Sequence, residues 1–384
     1  MASCQSNRSS INNIDVFCKE IGSKSSIVGL GESTHGTKEF TQYRAEIVQE
    51  LVSKYNYRIF VLEAEYLFCK HINSYILSGE GEPKSILNKI STWSWKNMDF
   101  LKLIVWMKEF NEKHPNDPIQ FFGIDSQIHR NYLTTIEYDL PQEYVSQYSG
   151  AKRDSILKYY PIKGKILIET DEGENEPSEK IKELRNLSEQ WISEMTEIDL
   201  NLEYYIHTRI HNLSLEDPQN LNIRDENMAR LVDLIYRKFD EKIILWAHNE
   251  HIYRRNDLES NYTSLGHHIS KIYKNQYLVI GFDFNDGSFQ AISRDESNIN
   301  SMQVFDYQPL SKTLSNEIDF KDDNFRITNC SSIKENFKVN SIGATYRTNI
   351  QDEKRYMSEV HGNKEFDYIF HVLESTPSDM IETN

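Results

Sequence analysis

The sequence lacks the features that mark membrane-spanning, secreted and disulfide-linked proteins. None of its hydrophobic runs approaches the roughly 20 residues that a membrane-spanning helix needs. The polar stretch at residues 1–10 has no apolar segment of the kind found in signal peptides. The four cysteines are far apart and form no C-x-x-C pair, so we expect reduced thiols and neither a disulfide framework nor a zinc site. These absences predict a cytoplasmic protein.

Positive charge is also in short supply. The 43 Lys and Arg residues are outnumbered by 59 Asp and Glu residues, which gives a formal net charge of −16. Nucleic acids and anionic membranes attract basic surfaces, so neither is expected as a partner. An acidic cleft would instead attract a cationic small molecule. The 384 residues, 38% of them hydrophobic, are enough for one large domain with an insertion or for two lobes.

Several well-known catalytic motifs are missing as well. The chain has no G-x-S-x-G nucleophile elbow, no G-x-x-x-x-G-K-[ST] loop, no G-x-G-x-x-G fingerprint and no H-E-x-x-H pair. His248 and His251 are only three positions apart, which does not fit the last of these. What remains possible is hydrolysis without a covalent serine. A histidine deprotonates water when a carboxylate fixes its tautomer, and a second histidine or an arginine stabilises the oxyanion.

Short apolar runs alternate with helical periodicity along most of the chain. The helical patterns cover residues 40–55, 67–77, 98–113 and 223–239, and the runs predict strands at 26–31, 58–62, 119–124, 242–246 and 276–282, with later strands at 288–293 and 366–373. This alternation predicts an α/β fold with a largely parallel sheet flanked by helices. No element is assigned between residues 295 and 338, where the sequence is polar and irregular.

The middle of the chain differs from the rest. Strand signals fade across residues 128–221, where helical patterns at 178–195 and 200–213 follow a polar, acidic loop at 168–180. We interpret this region as a mostly helical lobe inserted into the α/β core. The core would then be built from residues 1–127 and 222–384.

Polar side chains follow four of the predicted strands. They are Glu32 and His35 after the first, Glu63 and Glu65 after the second, Asp125 and Gln127 after the third, and His248, Asn249 and His251 after the fourth. Parallel α/β sheets place their sites in the crevice outside the carboxyl ends of the strands. We therefore expect these residues to converge in a cleft there. The alternative is that they merely reflect the polarity of loops.

Arg44 and two tryptophans add further candidates. Arg44 lies among the apolar positions of the first helix, and a buried arginine is costly unless carboxylates pair with it. Glu32 and Glu63 are the expected partners, although an arginine at the edge of the stripe would reach solvent instead. Trp93 and Trp95 precede a helix in a predicted loop. They would either line the binding site of a large apolar ligand or belong to the core.

Six segments, in order along the chain, resemble motifs of the erythromycin esterase family. They are G-L-G-E-S-T-H-G-T-K-E-F at 29–40, Arg44 nine residues after His35, F-V-L-E-A at 60–64, G-I-D-S-Q at 123–127, R-D-E-N-M-A at 224–229, and W-A-H-N-E-H at 246–251. One such motif alone would be weak evidence, but six in order are specific. The resemblance extends from about residue 27 to residue 373.

The resemblance implies an enzyme that opens the lactone ring of macrolide antibiotics by hydrolysis and so confers resistance. In the family, the histidine matching His35 is the proposed general base. The residues matching Glu32, Arg44, His248 and His251 complete the site, and Glu63 occupies a position where members differ. The implied fold is an α/β core with a helical lobe, and the substrate lies in the cleft between them. A cationic macrolide sugar agrees with the acidic charge.

The remaining strand-end residues are expected to contact the substrate, as are the two tryptophans. These substrate-binding candidates are Glu65, Asp125, Gln127, Asn249, Trp93 and Trp95. No cofactor or metal is predicted, and the sequence makes no prediction of oligomeric state.

Three alternatives stay open. The first is a hydrolase of another ester or lactone, because residues 128–221 match the family least. The second is a metal-dependent hydrolase with ligands among the His and Glu residues at the strand ends, which ranks lower because Arg44 would crowd a cation. The third is a binding protein without catalytic activity.

Overall fold

The computed structural model describes most of the α/β core and only part of the middle of the chain. The described residues are 10–90, 92–127, 181–182, 184–186, 188–189, 200–214, 220–257, 261–309, 311–348 and 355–382. Most of the predicted helical lobe at 128–221, including the acidic loop at 168–180, lies outside them. Where the structure does describe that region it is helical, and the division into lobe and core stays a prediction.

Residues between 181 and 189 are helical where they are described, and nine further helices in the described part of the chain account for the other predicted helical patterns. They are α1 (Ile14–Ile21), α2 (Lys38–Tyr55), α3 (Tyr66–Ser78), α4 (Pro83–Lys89), α5 (Met98–Lys113), α6 (Leu200–Leu213), α7 (Asn220–Phe239), α8 (Asn249–Ile252) and α9 (Leu265–Tyr273). Local chemistry sets their ends. Asn97 begins α5 because its side chain accepts a hydrogen bond from the Phe100 backbone N–H. Asn56 ends α2 in the left-handed conformation.

Fourteen strands are present in the same described ranges. They are β1 (Ser10–Ile11), β2 (Ile27–Leu30), β3 (Tyr57–Glu65), β4 (Gln120–Asp125), β5 (Lys242–Trp246), β6 (Asn256–Asp257), β7 (Tyr262–Thr263), β8 (Tyr277–Ser293), β9 (Met302–Tyr307), β10 (Phe325–Asn329), β11 (Phe337–Asn340), β12 (Thr345–Tyr346), β13 (Met357–Val360) and β14 (Tyr368–Ser375).

The main sheet has the order β1-β10-β14-β8-β2-β5-β3-β4, with β9 and β12 also paired to β8. Every pairing from β14 to β4 is parallel, whereas β1, β10 and β9 pair antiparallel with their neighbours. The α/β fold with a largely parallel sheet is therefore confirmed.

Helices cover both faces of the sheet, and the alternation of side chains along β5 shows how. Ile244 and Trp246 pack in one hydrophobic cluster with α1, α2 and α5, while Ile243 and Leu245 pack in a second cluster with α7 and α9. A strand that is buried on both faces has a continuous run of apolar residues, and β5 has such a run. No helix in the described ranges is long and apolar enough to cross a membrane.

The prediction was wrong at the fifth strand. Residues 276–282 and 288–293 were expected to form two strands, but β8 is one strand of 17 residues. Its polar middle is not a turn, because β8 pairs with β14 as far as Gly287 and with β9 from Gly287 onward. Gly287 has a φ of 123°, which an L-residue rarely adopts. The region at 295–338, left unassigned from the sequence, contains β9, β10 and the start of β11.

Candidate active site

The loops after β2, β3 and β5 meet because these three strands are neighbours in the sheet. Leu30 and Leu62 are both in register with Trp246, so the residues that follow them leave the sheet at the same edge. The Asn249 backbone N–H donates to the Glu32 carbonyl oxygen (2.9 Å) and joins two of these loops. Convergence at the carboxyl ends of parallel strands is therefore what the structure shows.

Glu32 and His35 form a carboxylate–imidazole pair at the end of β2. His35 Nδ1 lies 2.5 Å from Glu32 Oε1, and the carboxylate is almost fully buried. A carboxylate only accepts hydrogen bonds, so Nδ1 carries the proton and Nε2 keeps its lone pair. Within the described part of the chain, no hydrogen bond is made to His35 Nε2. This nitrogen is therefore available as a base.

Arg44 is buried behind this pair. Its Nη2 donates to Glu32 Oε2 and its Nε donates to the Phe40 carbonyl oxygen (3.1 Å), while the guanidinium lies 3.9 Å from the ring centroid of Trp246. The predicted Arg44–Glu32 pair is thus confirmed, and the alternative of an arginine reaching solvent is wrong. The prediction of Glu63 as a second partner is also wrong, because Glu63 bonds Arg224 instead.

Opposing effects set the charge states of Glu32 and Arg44. Burial by itself would raise the pKa of Glu32, but the positive charge of Arg44 and the hydrogen bond from His35 outweigh burial and hold that pKa below its ordinary value. Burial lowers the pKa of Arg44 to about 10, although Glu32 opposes the change. Both groups are therefore charged at neutral pH.

His248 supplies a second imidazole beside His35. The two ring centroids are 5.2 Å apart in an edge-on arrangement. His248 Nδ1 accepts a hydrogen bond from the Glu250 backbone N–H (3.3 Å), which leaves the proton of the neutral ring on Nε2. Burial lowers the pKa of His248. His248 is therefore neutral, and its Nε2–H has no hydrogen-bond partner among the residues described.

Arg224 joins two of the predicted carboxylates and was missed by the sequence reasoning. Its Nε and Nη2 donate to the two oxygens of Asp125 (3.0 and 2.9 Å), and Nη2 also donates to Glu63 Oε1 (2.7 Å). The other Glu63 oxygen accepts the His248 backbone N–H (2.9 Å). The R-D-E-N-M-A segment held the signal for Arg224, since it was among the motifs that resembled the family.

His251 lies on the far side of Glu63. Its Nδ1 is 2.8 Å from Asp225 Oδ1, and its Nε2 is 3.3 Å from Glu63 Oε1. Arg224 Nη1 donates to His251 Nε2 (2.9 Å), because a guanidinium has no acceptor, so the ring proton lies on Nδ1 and faces Asp225. Burial and the charge of Arg224 oppose protonation of the second nitrogen, whereas the carboxylates of Asp225 and Glu63 favour it. Asp225 was the second residue missed from the sequence.

The side chain of Asn249 links the start of α8 to β8. Its amide donates to the Phe282 carbonyl oxygen (2.8 Å) and accepts from the Phe282 backbone N–H (3.1 Å). Gly31 packs so closely here that an added Cβ would lie 2.0 Å from Asn249 Oδ1. These contacts give Asn249 a structural role, and the substrate contact expected of it stays a prediction.

The other substrate-binding candidates lie around the same edge of the sheet. Glu65 is buried and in register with Asp125, and the Gln127 backbone N–H donates to Asp125 Oδ1 (3.0 Å). Trp95 is a core residue, since its ring packs edge-on against Trp246 at 6.3 Å. Trp93 is half-buried. Binding of substrate by these residues stays a prediction.

Two of the buried carboxylates at the site are paired with guanidinium groups. Glu32 pairs with Arg44 and Glu63 pairs with Arg224. Across the described ranges, no group of three or more His, Cys, Asp or Glu residues is arranged to hold a metal ion.

Comparison with known proteins places this chain in a family. The profile of the erythromycin esterase family matches residues 52–375 of the chain. The putative hydrolase YbfO of Bacillus subtilis (strain 168) is 24% identical over 337 residues, which are 78% of this chain and 72% of that protein.

Solved structures show the same fold. A Bacillus cereus protein superposes with a TM-score of 0.74 at 20% identity, over 95% of this chain and 92% of that one. A succinoglycan biosynthesis protein superposes with a TM-score of 0.73 at 18% identity, over 98% of this chain and 97% of that one. A mutant of the erythromycin esterase EreC in its open conformation superposes with a TM-score of 0.65 at 17% identity, over 96% of this chain and 95% of that one. Because the family profile spans more than half of its length, this chain belongs to the erythromycin esterase family and is a hydrolase.

Proposed function

We propose that this protein hydrolyses the lactone ester of a cationic macrolide such as erythromycin, with His35 as the general base, and thereby confers resistance. The observation that carries the proposal is the chain of contacts from Arg44 through Glu32 to His35, with the neutral ring of His248 beside it. A buried carboxylate that fixes one ring nitrogen leaves the other to act on water.

The first step forms a tetrahedral intermediate. His35 Nε2 takes a proton from water while the water oxygen bonds to the ester carbonyl carbon, and the carbonyl π electrons move onto its oxygen. The resulting imidazolium is stabilised by Glu32, whose own charge is balanced by Arg44. Holding this ion pair away from solvent strengthens the interaction.

The second step breaks the ring. The Nε2–H of His248 is a donor without a protein partner in the described structure, and it is suited to bind the oxyanion of the intermediate. Collapse of the intermediate re-forms the carbonyl and breaks the bond to the ring oxygen. The leaving alkoxide takes the proton from His35. The product is a hydroxy acid heavier than the lactone by one water.

Charge supports a cationic substrate. The chain has a formal net charge of −16, and an acidic protein attracts a protonated amino sugar. The likeness to an erythromycin esterase supports the same choice. The expected cytoplasmic location rests on the sequence.

A second candidate is hydrolysis of another ester or lactone by the same residues. Two observations favour it. Residues 128–221 carry the weakest resemblance to the family, and one of the structural neighbours is a succinoglycan biosynthesis protein rather than a macrolide esterase. The catalytic step would be unchanged, and only the group around the ester would differ.

The test is mass spectrometry of erythromycin incubated with the purified protein and two variants. We expect the parent and His267→Ala to add one water. His267 lies on α9 and serves as the matched histidine control. His35→Ala, with its fold verified by circular dichroism, is expected to be slower by about 10²- to 10⁴-fold.

The other outcomes separate the alternatives. Product formed by His35→Ala at the parental rate would remove His35 as the base. No product in any tube would exclude erythromycin, and a panel of other lactones and esters would then test the second candidate. Activity lost on chelation and restored by a divalent ion would favour a metal-dependent hydrolase.

A further inference from the structure

The carboxylate of Glu250 lies next to the histidine that is suited to bind the oxyanion. Glu250 is the second residue of α8, and its backbone N–H donates to His248 Nδ1 (3.3 Å). Its side chain is half-buried, and Oε1 accepts a hydrogen bond from Ser341 Oγ (2.7 Å). In the described part of the chain, no donor is bonded to Oε2. One oxygen of this carboxylate is therefore available to bind another group.

The segment that contains Ser341 also contacts the loop of the proposed general base. The Ile342 backbone N–H donates to the carbonyl oxygen of Ser33 (2.6 Å), in the loop that leads to His35. Gly343, the next residue, is exposed, and a Cβ added to it would meet no atom of the described structure within 4 Å. The carboxylate that Ser341 holds therefore lies at an edge of the site where a substituent of a bound ester has room.

The charge of Glu250 is not balanced by an ion pair. Glu32 pairs with Arg44, and Glu63 pairs with Arg224. Among the residues that the structure describes, Glu250 forms no such pair, and its one side-chain partner is a neutral hydroxyl. A half-buried carboxylate of this kind is stabilised when a cation binds to it.

Arg255 is close to Glu250 in the sequence but uses its donors elsewhere. Its Nε and Nη2 donate to the two oxygens of Glu365 (2.9 and 2.7 Å), and its Nη1 donates to Ser358 Oγ (2.9 Å). Nη2 also donates to the Glu359 carbonyl oxygen. All three nitrogens of the guanidinium are thus occupied, and Glu250 keeps its charge for a group that binds from outside.

We propose that Glu250 forms a cation subsite that binds the protonated amine of the substrate. This proposal rests on the proposed function, because it takes the substrate to be an ester that also carries an ammonium group. Oε2 accepts a hydrogen bond from the ammonium N–H, while Ser341 holds the carboxylate in place through Oε1. An ammonium is favoured over a neutral hydroxyl, because a hydrogen bond between two charged groups is stronger than one between neutral groups.

The subsite contributes to binding more than to the chemical step. Burial lowers the pKa of His248, and the negative charge of Glu250 opposes that effect only in part. Removing the charge therefore leaves His248 neutral, with its Nε2–H still available to the oxyanion. A hydrogen bond to a charged group corresponds to a change in affinity of about 10-fold or more. We expect Glu250→Gln to raise KM for a cationic substrate by about 10-fold, with a much smaller effect on kcat.

The test compares two substrates and three variants. Erythromycin is compared with a deaminated analogue, in which hydrogen replaces the basic amino group. Glu250→Gln removes the charge but keeps an oxygen that accepts from Ser341, whereas Ser341→Ala removes that hydrogen bond and keeps the charge. Glu241→Gln is the matched control, since it removes one negative charge from an exposed position directly before β5, at the opposite edge of the sheet.

The expected result is a loss of preference in one variant. In the parent and in Glu241→Gln, KM for erythromycin should be about 10-fold lower than KM for the deaminated analogue. Glu250→Gln should treat the two substrates alike, and Ser341→Ala should keep most of the preference. Isothermal titration calorimetry of both ligands with His35→Ala, alone and combined with Glu250→Gln, measures the affinity without turnover.

Each contrary result has a distinct meaning. Equal KM values of the parent for the two substrates would overturn the cation subsite without any variant, even if Glu250→Gln failed to fold. Equal losses on both substrates in Glu250→Gln would leave Glu250 with a structural role only. Binding of erythromycin that depends on Glu250 but leads to no hydrolysis would refute the proposed function and support the subsite. Binding of neither ligand would refute both.

Discussion

Replacing Arg44 by methionine is the most demanding test of how the buried charges of this site depend on one another. Arg44 and its partner Glu32 are each 1% exposed. Methionine fills much of the same volume but removes the hydrogen bond to Glu32, the hydrogen bond to Phe40 and the contact with the Trp246 ring. The Glu32 carboxylate would then be left with His35 as its partner.

The expected loss of stability follows from this geometry. Breaking a buried ion pair by removing one partner costs about 3–5 kcal/mol of stability. A desolvated cation–π contact contributes up to about 2 kcal/mol, and the two contributions are not fully additive. Unfolding entropy is about 2.1 cal/mol/K per residue, or about 0.8 kcal/mol/K for this chain, so a loss of about 4 kcal/mol lowers Tm by about 5 °C.

The loss should depend on pH. In the parent, the pKa of Glu32 is held below its ordinary value, so its favourable contribution is present above the unfolded pKa and is lost as pH falls through the folded pKa. Without Arg44, the pKa of Glu32 is expected to rise, because only the two neighbouring histidines then oppose the effect of burial. The variant then becomes less destabilised, relative to the parent, as pH falls. The difference in Tm should therefore shrink on acidification.

Thermal unfolding followed by circular dichroism, beside an ester-hydrolysis assay, measures both effects. The double variant Arg44→Met/Glu32→Gln removes both charges and should regain several degrees of Tm while staying inactive. Arg58→Met is the control, because Arg58 is also buried but its carboxylate partner, Asp117, is exposed; its kcat should be unchanged. The reasoning is refuted if the double variant is less stable than Arg44→Met, or if Arg44→Met keeps parental stability.

Two further predictions concern residues bound to the sheet. Asn249→Ala should lower the free energy of unfolding by about 2–4 kcal/mol, because the Phe282 backbone loses two buried hydrogen bonds. We expect KM to be unchanged. A raised KM at the parental Tm would instead indicate that Asn249 contacts the substrate. Burial raises the pKa of Asp283 to about 6, so this carboxyl destabilises the fold as pH rises from about 4 to 6, by on the order of 2–3 kcal/mol. Asp283→Asn should remove that slope from Tm measured against pH, and an unchanged slope would contradict this.

The sequence by itself determined the local elements and the edge of the sheet where the site lies. Apolar runs buried on both faces and helices with one apolar stripe are properties of neighbouring residues, so β2, β3, β4 and β5 and the helices between them were predictable. The pairing of Arg44 with Glu32 was predictable for a related reason. An arginine within an apolar stripe needs a carboxylate, and Glu32 lies only 12 residues away.

Only the tertiary structure decided which partners the other charged residues have. Glu63 bonds Arg224 from 161 residues away, and Asp225 meets His251 because the fold brings the start of α7 beside α8. The continuity of β8 likewise depends on β9, which pairs with its polar half. The sequence is compatible with many different pairings between the carboxylates and the cationic side chains. The packing of helices against the sheet selected one arrangement, because burial makes every unpaired charge costly.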